Sequence, residues 1–154
     1  MSCSRCAGLG PAALAPFQGP PGAPGTAGPA GPAGPDVGLT PFAADADLGG
    51  QRVIGLGLNG SAVHASADDP DHILRVLGIS TGAALAGSQV TVRSIGTMDD
   101  PSWAWVPGPI WCGLNGALTQ APPAQPVSAF SQQVAFAVSA TRILVGLHMA
   151  VRLA

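Results

Sequence analysis

The sequence predicts an all-β fold, a small sandwich or barrel of short antiparallel strands, set behind an extended collagen-like stalk and assembled as a trimer. Three observations predict it. Beyond Val37, short β-like apolar runs are separated by Gly, Asn, Asp and Pro, the spacing of strands and turns in a small β domain. No long stretch there carries the period of an amphipathic helix. Ahead of it, glycine recurs at every third position from Gly19 to Gly34, a period that implies three chains.

Residues 1–18 are small and apolar without helical or strand periodicity, and Pro11 and Pro16 interrupt any helix. They read as an irregular anchoring arm. Residues 19–36 form six Gly-X-Y triplets on Gly19, Gly22, Gly25, Gly28, Gly31 and Gly34. Three polyproline-like chains wind together only if every third residue lacks a side chain at the shared axis. Prolines at X (20, 29, 32 and 35) and at Y (21 and 24) preset φ for that helix. Such a stalk spans about 50 Å at about 3 Å per residue. A flexible polyproline-II linker is the competing reading, because six triplets are short for a self-standing triple helix. In both cases the segment is a spacer.

Residues 37–154 form the head. Strands are expected at 52–58, 61–65, 72–79, 88–95, 110–113, 132–138 and 142–153, and the glycine-flanked stretch 81–86 as a loop. Leu-Asn-Gly occurs twice, at Leu58–Gly60 and Leu114–Gly116. Asn59-Gly60 and Asn115-Gly116 read as tight type I′ hairpin turns, because both residue types tolerate positive φ. In the last strand Ile143, Val145, Leu147, Met149 and Val151 share one face, assigned to the core. The mixed opposite face suits contact with a neighbouring subunit.

Composition excludes several functions. Only 9% of residues are charged, the net charge is -2 and every basic residue is Arg, which disfavours nucleic acid. No run of about 18 apolar residues is free of charge, so no membrane span is expected. The N-terminus lacks the pattern of a Sec signal. Cys3, Cys6 and Cys112 are an odd number without an export signal, which fits synthesis in a reducing compartment. Low charge with many small residues leaves a lone copy with exposed apolar surface, and self-association is the remedy.

Few residues invite chemistry. His64, Asp68, Asp69, Asp71 and His72 are the densest polar cluster, but they lack a recognised ligand spacing and Asp-Pro-Asp is a favoured turn. Cys3-Ser-Arg-Cys6 is a lone C-x-x-C without a second ligand pair, and Cys112 reads as a small core residue. Trp103, Trp105 and Trp111 flank the expected turn Pro107-Gly108-Pro109. They read first as packing residues, and alternatively as a platform on which sugars stack. Gly55-Leu-Gly57-Leu-Asn-Gly60 has dinucleotide-motif spacing but leads into a hairpin instead of a helix. No catalytic residue, metal site or cofactor is expected, and the chain reads as no enzyme.

The stretch 66–153 resembles a small domain common in phage and prophage tail or fibre-type structural proteins. The matching pieces, in order, are S-A-D-D-P-D-H (66–72), V-L-G-I (76–79), Q-V-T-V (89–92), W-V-P-G-P-I-W (105–111), G-L-N-G-A-L-T-Q (113–120) and the segment 134–145 with S-A-T-R (139–142). The sequence departs from the usual pattern at Cys112 and at the ending His148-Met149. The resemblance implies a trimeric virion component with no catalytic residues to transfer, often placed behind a collagen-like spacer. It would be a tail fibre, tail tip or capsid fibre or decoration, assembled in the bacterial host cytoplasm and bound to other virion proteins through its arm. A receptor-binding tip that recognises host surface glycan through the three tryptophans is the alternative.

Overall fold

The computed structural model describes residues 37–154 and, within the Gly-X-Y run, Gly22, Ala23, Gly25, Thr26, Gly28 and Pro29. The chain divides into two units, Met1–Ala33 and Gly34–Ala154. The arm at 1–18, with Cys3 and Cys6, and the stalk glycines Gly19, Gly31 and Gly34 lie outside the described residues.

The head is all-β and antiparallel in its sheets, as the alternating runs predict. Its first half supplies one sheet: β1 (Leu39–Ala43), β2 (Val53–Leu56), β3 (Ala62–His64), β4 (Val76–Ser80) and β5 (Gln89–Arg93), ordered β1-β5-β4-β2-β3. The second half supplies β6 (Ile95–Asp99), β7 (Gly108–Cys112), β8 (Leu118–Thr119), β9 (Phe130–Ser131), β10 (Gln133–Ser139), β11 (Arg142–Gly146) and β12 (Val151–Arg152). Five of these form the sheet β6-β11-β10-β7-β8, and β9 pairs with β12.

Alternation explains the packing. Ile143 and Val145 are buried while Arg142 and Leu144 point out, as period two requires. From the second sheet Met98, Ile110, Cys112, Val134, Ala135, Ala137, Ile143 and Val145 join Val53, Val76 and Ile79 of the first in one buried cluster, with Phe130 of β9 among them. The two sheets therefore pack face to face. The first sheet is buried on both sides: Val53 enters the shared core, and its neighbour Ile54 joins Leu48, Ala62, Val90 and Val92 in a second cluster. Residues 44–48 and Ala84 cover that second cluster. Leu48 and Ala84 exchange backbone hydrogen bonds of 2.8 and 2.9 Å there.

Several boundaries differ from expectation. The strand expected at 88–95 is two strands in two sheets, divided at Ser94, whose N–H donates 2.8 Å to the Gly38 carbonyl. The run 142–153 leaves its sheet after Gly146; Met149 is 85% and Val151 61% exposed, so neither belongs to the core. The cause is a competing set of bonds, since His148 N donates to the Gln133 carbonyl (3.0 Å) and Gln132 Nε2 to the His148 carbonyl (2.8 Å). The strand expected from His72 begins only at Val76, and residues 70–72 form a short 3₁₀ turn ahead of it. Gly108 and Pro109, expected in a turn, open β7, where Pro109 pairs only with Phe136 because β8 reaches no further than Trp111 and Cys112. A proline is tolerated at such a free edge. β1, which carries Pro41, and the two-residue strands β8 and β9 were not expected, and most of β6 lies beyond the strand expected at 88–95.

Gly78 is one position where glycine is required. It sits at φ 153, and a Cβ there would collide with the Arg93 carbonyl of β5.

Each fully buried Ile or Val stabilises by about 2 kcal/mol, and emptying the centre of the core costs more. Ile110→Ala, between the two sheets, is expected to lose about 3 kcal/mol of unfolding free energy. Urea denaturation of both proteins measures this; a loss below about 1 kcal/mol would contradict a close-packed inter-sheet core.

Candidate functional site

The acidic and histidine cluster is built around the link between β3 and β4. Asp69 caps the turn Pro70–His72, its Oδ1 accepting from Asp71 N at 2.9 Å. The Ser66 hydroxyl donates to Asp68 Oδ1. His72 Nδ1 accepts the Ser66 N–H at 3.1 Å, which places the ring proton of the neutral imidazole on Nε2. Its 3.7 Å approach to Asp69 Oδ2 is therefore not an ion pair in that state. Asp45 Oδ1 accepts from Asn59 Nδ2 at 2.7 Å. Asp45, Asn59, Asp69 and His72, with Leu56, Leu58 and Arg75, line a groove of about 510 Å³. Its polar atoms largely serve the turns that form it, and among the described residues no three His, Cys, Asp or Glu side chains converge to hold a metal ion.

The two Leu-Asn-Gly turns are not equivalent. At 57–60 the Gly60 N–H reaches the Gly57 carbonyl (3.1 Å) and Gly57 N reaches Ser61 (2.8 Å). Of these residues only Gly60 has positive φ, at 82, so the turn is the three-residue type with a glycine bulge instead of type I′. At Leu114–Gly116 both Asn115 (φ 50) and Gly116 (φ 73) are left-handed, and Ala117 N closes the turn on the Leu114 carbonyl at 2.9 Å.

This second turn is an interlock between the sheets. Gly116 N donates to Ala65 O at 2.6 Å, Ala67 N to Gly113 O at 3.0 Å, and Asn115 N to Ser66 Oγ at 2.9 Å. A Cβ on Gly116 would stand 2.8 Å from Val53 O, so the sheets could not close to this distance around any other residue. Sequence reasoning missed Ser66 in this role, and also Ser80. Fully buried, Ser80 accepts from Arg52 N (3.0 Å) and donates to Gly49 O (2.8 Å). Ser80 closes an apolar strand run, a position that gave no signal for a buried role.

His64 accepts the Gly49 N–H on Nε2 at 3.1 Å. Burial, and secondarily Arg52, lower its pKa below 6.5. Cys112 lies in the core, where burial, with the Asp68 carboxylate adding to it, pushes the thiol up to about 12.

The three tryptophans do not form one platform. Trp103 and Trp105 pack against the shared core with ring centroids 6.1 Å apart and planes tilted by 55°. Trp105 Nε1 is buried without a partner among the described residues. Trp111 lies in β7 between Ile110 and Cys112, whose side chains are buried, so it faces the other side of its sheet. In the single chain Gly22, Gly25 and Gly28 have nothing among the described residues within 4 Å of a Cβ position. No known family model matches the sequence, and no curated protein is significantly similar to it.

Two measurements check these environments. Because folded His64 resists protonation, the unfolded chain alone takes up that proton as pH falls below 6.5, so stability drops from there downward. His64→Gln is expected to flatten that part of the profile of urea midpoint against pH between 7.5 and 5; an unchanged profile would exclude the histidine as its source. In a Cys3→Ser, Cys6→Ser background, Cys112 should resist alkylation by iodoacetamide at pH 8 until denaturant is added. Rapid labelling of the folded protein would contradict its burial.

Proposed function

We propose that the chain is a non-enzymatic structural component of a bacteriophage-like virion, a tail fibre, tail tip or capsid fibre or decoration. In this reading residues 1–18 grip another virion protein, 19–36 act as spacer, and the β head trimerises and sets the register of the stalk. The observation that carries it is the ordered set of short motifs across 66–153 behind an uninterrupted Gly-X-Y run. Two structural features support it. The His72 imidazole and the Asp69 carboxylate each accept a backbone N–H in the link between β3 and β4, the use a scaffold makes of such groups. Trp103 and Trp105 pack against the core, which favours a packing role for them over recognition of host glycan.

Light scattering on the full chain and on residues 37–154 tests the assembly. Three times the chain mass of 15.1 kDa is expected for the full protein, and a trimer of the shortened one supports a self-assembling head. Monomers in both would sink the trimer. Purified particles from an induced lysogen, labelled with antibody against the head, test the location; protein found only in the particle-free fraction would overturn it.

A further inference from the structure

We infer that the outward face of the second sheet, β6-β11-β10-β7, is the surface on which two further copies of this chain dock to form the trimer. The inference rests on the trimeric reading above and names the surface that carries it. Across the sheet, Thr97 pairs with Leu144, Leu144 with Phe136 and Phe136 with Pro109. This makes one continuous row about 14 Å wide at about 4.8 Å per strand. Phe136 is 43%, Leu144 47% and Ile95 57% exposed, and a depression of about 320 Å³ runs between them. An antiparallel sheet that faces water presents polar residues there.

Charge is missing as well. In the five strands of this sheet the only charged side chains are Asp99 and Arg142. They neutralise each other through a two-pronged contact, Nε to Oδ1 at 2.6 Å and Nη2 to Oδ2 at 3.2 Å. The first sheet has no comparable face, because its outer side is covered by the 44–48 segment and Ala84.

The occupant follows from where the head begins. Gly38 is seated on Ile95, the first residue of β6: a Cβ on Gly38 would stand 2.5 Å from Ile95 Cγ2, and the Gly38 carbonyl accepts Ser94 N at 2.8 Å. The last Gly-X-Y triplet, Gly34-Pro35-Asp36, ends one residue before Val37. In the trimeric reading, three chains joined through their Gly-X-Y runs tether their three Gly38–Ile95 contacts close to one another, because Gly38 follows the last triplet by two residues. The apolar faces that start at Ile95 then become neighbours. A ring of three closes such a contact without leaving an open surface.

The test compares the full chain with the full-length double variant Phe136→Asp, Leu144→Asp by light scattering and sedimentation, with circular dichroism as the check on folding. Both side chains are already partly in water in the single chain, so the fold should tolerate the change. Burying carboxylates, or bringing like charges together, should weaken assembly on the order of a hundredfold or more, giving monomer where the parent is trimer. Leu85→Asp, 69% exposed on the loop side of the first sheet, should stay trimeric. If the double variant unfolds, Leu144→Arg alone is read in the same way. A trimeric parent with a trimeric folded variant, or dissociation by Leu85→Asp as well, overturns this assignment and leaves the trimeric reading standing. A monomeric parent fails that reading, and this inference with it.

Discussion

The inner surfaces of the two sheets can leave water only by closing on each other, and the rest of the head is arranged around that closure. Its core is made of medium-sized residues, Val, Ile, Ala, Met and one Cys, with Phe130 as its one fully buried aromatic ring. Side chains of this size fill a narrow gap only if the backbones approach closely, since interiors tolerate few voids. The turn Leu114–Gly116 permits that approach. Gly116 lies against Val53 O without a Cβ, and its N–H and that of Asn115 bond across to Ala65 and Ser66. The backbone polar groups of the crossing are thereby satisfied where water is excluded, which burial demands.

The polar residues of the head follow from the same closure. Ser66, Asp68, Asp69 and His72 shape the link that receives the 114–116 turn, and Ser80 and His64 tie the 49–52 loop to its sheet. A dense acidic and histidine segment therefore reads as architecture once its acceptors are counted. The outward face of the second sheet is different in kind. Its alternation places Phe136, Val138 and Leu144 outside, and among the described residues the covering segment 44–48 and Ala84 lie on the first sheet. This division of labour underlies the proposal that copies of the chain cover one another.

Sequence by itself determined the class of the head and much of its inside. Period-two alternation placed Ile143 and Val145 in the core, and Gly, Asn and Asp marked the breaks between strands, because a pleated backbone and positive φ are local constraints. Local constraints also led it astray. The alternation of 142–153 continues in the letters past Gly146, yet the strand ends there because Gln133, the first residue of β10, and Gln132 just before it capture His148. The run 88–95 reads as one strand, yet it divides between two sheets at Ser94.

What only the tertiary structure decided is which partners meet. It gave the two identical Leu-Asn-Gly turns different roles, one an exposed hairpin and the other the interlock between sheets. It separated Trp111 from Trp103 and Trp105, and turned His72 into an acceptor for Ser66. Among the described residues it also left one face of one sheet without a cover. The physical reason is that each of these depends on contacts between residues far apart in the chain, whose pairing is fixed by the closure of the core and not by the residues on either side of them.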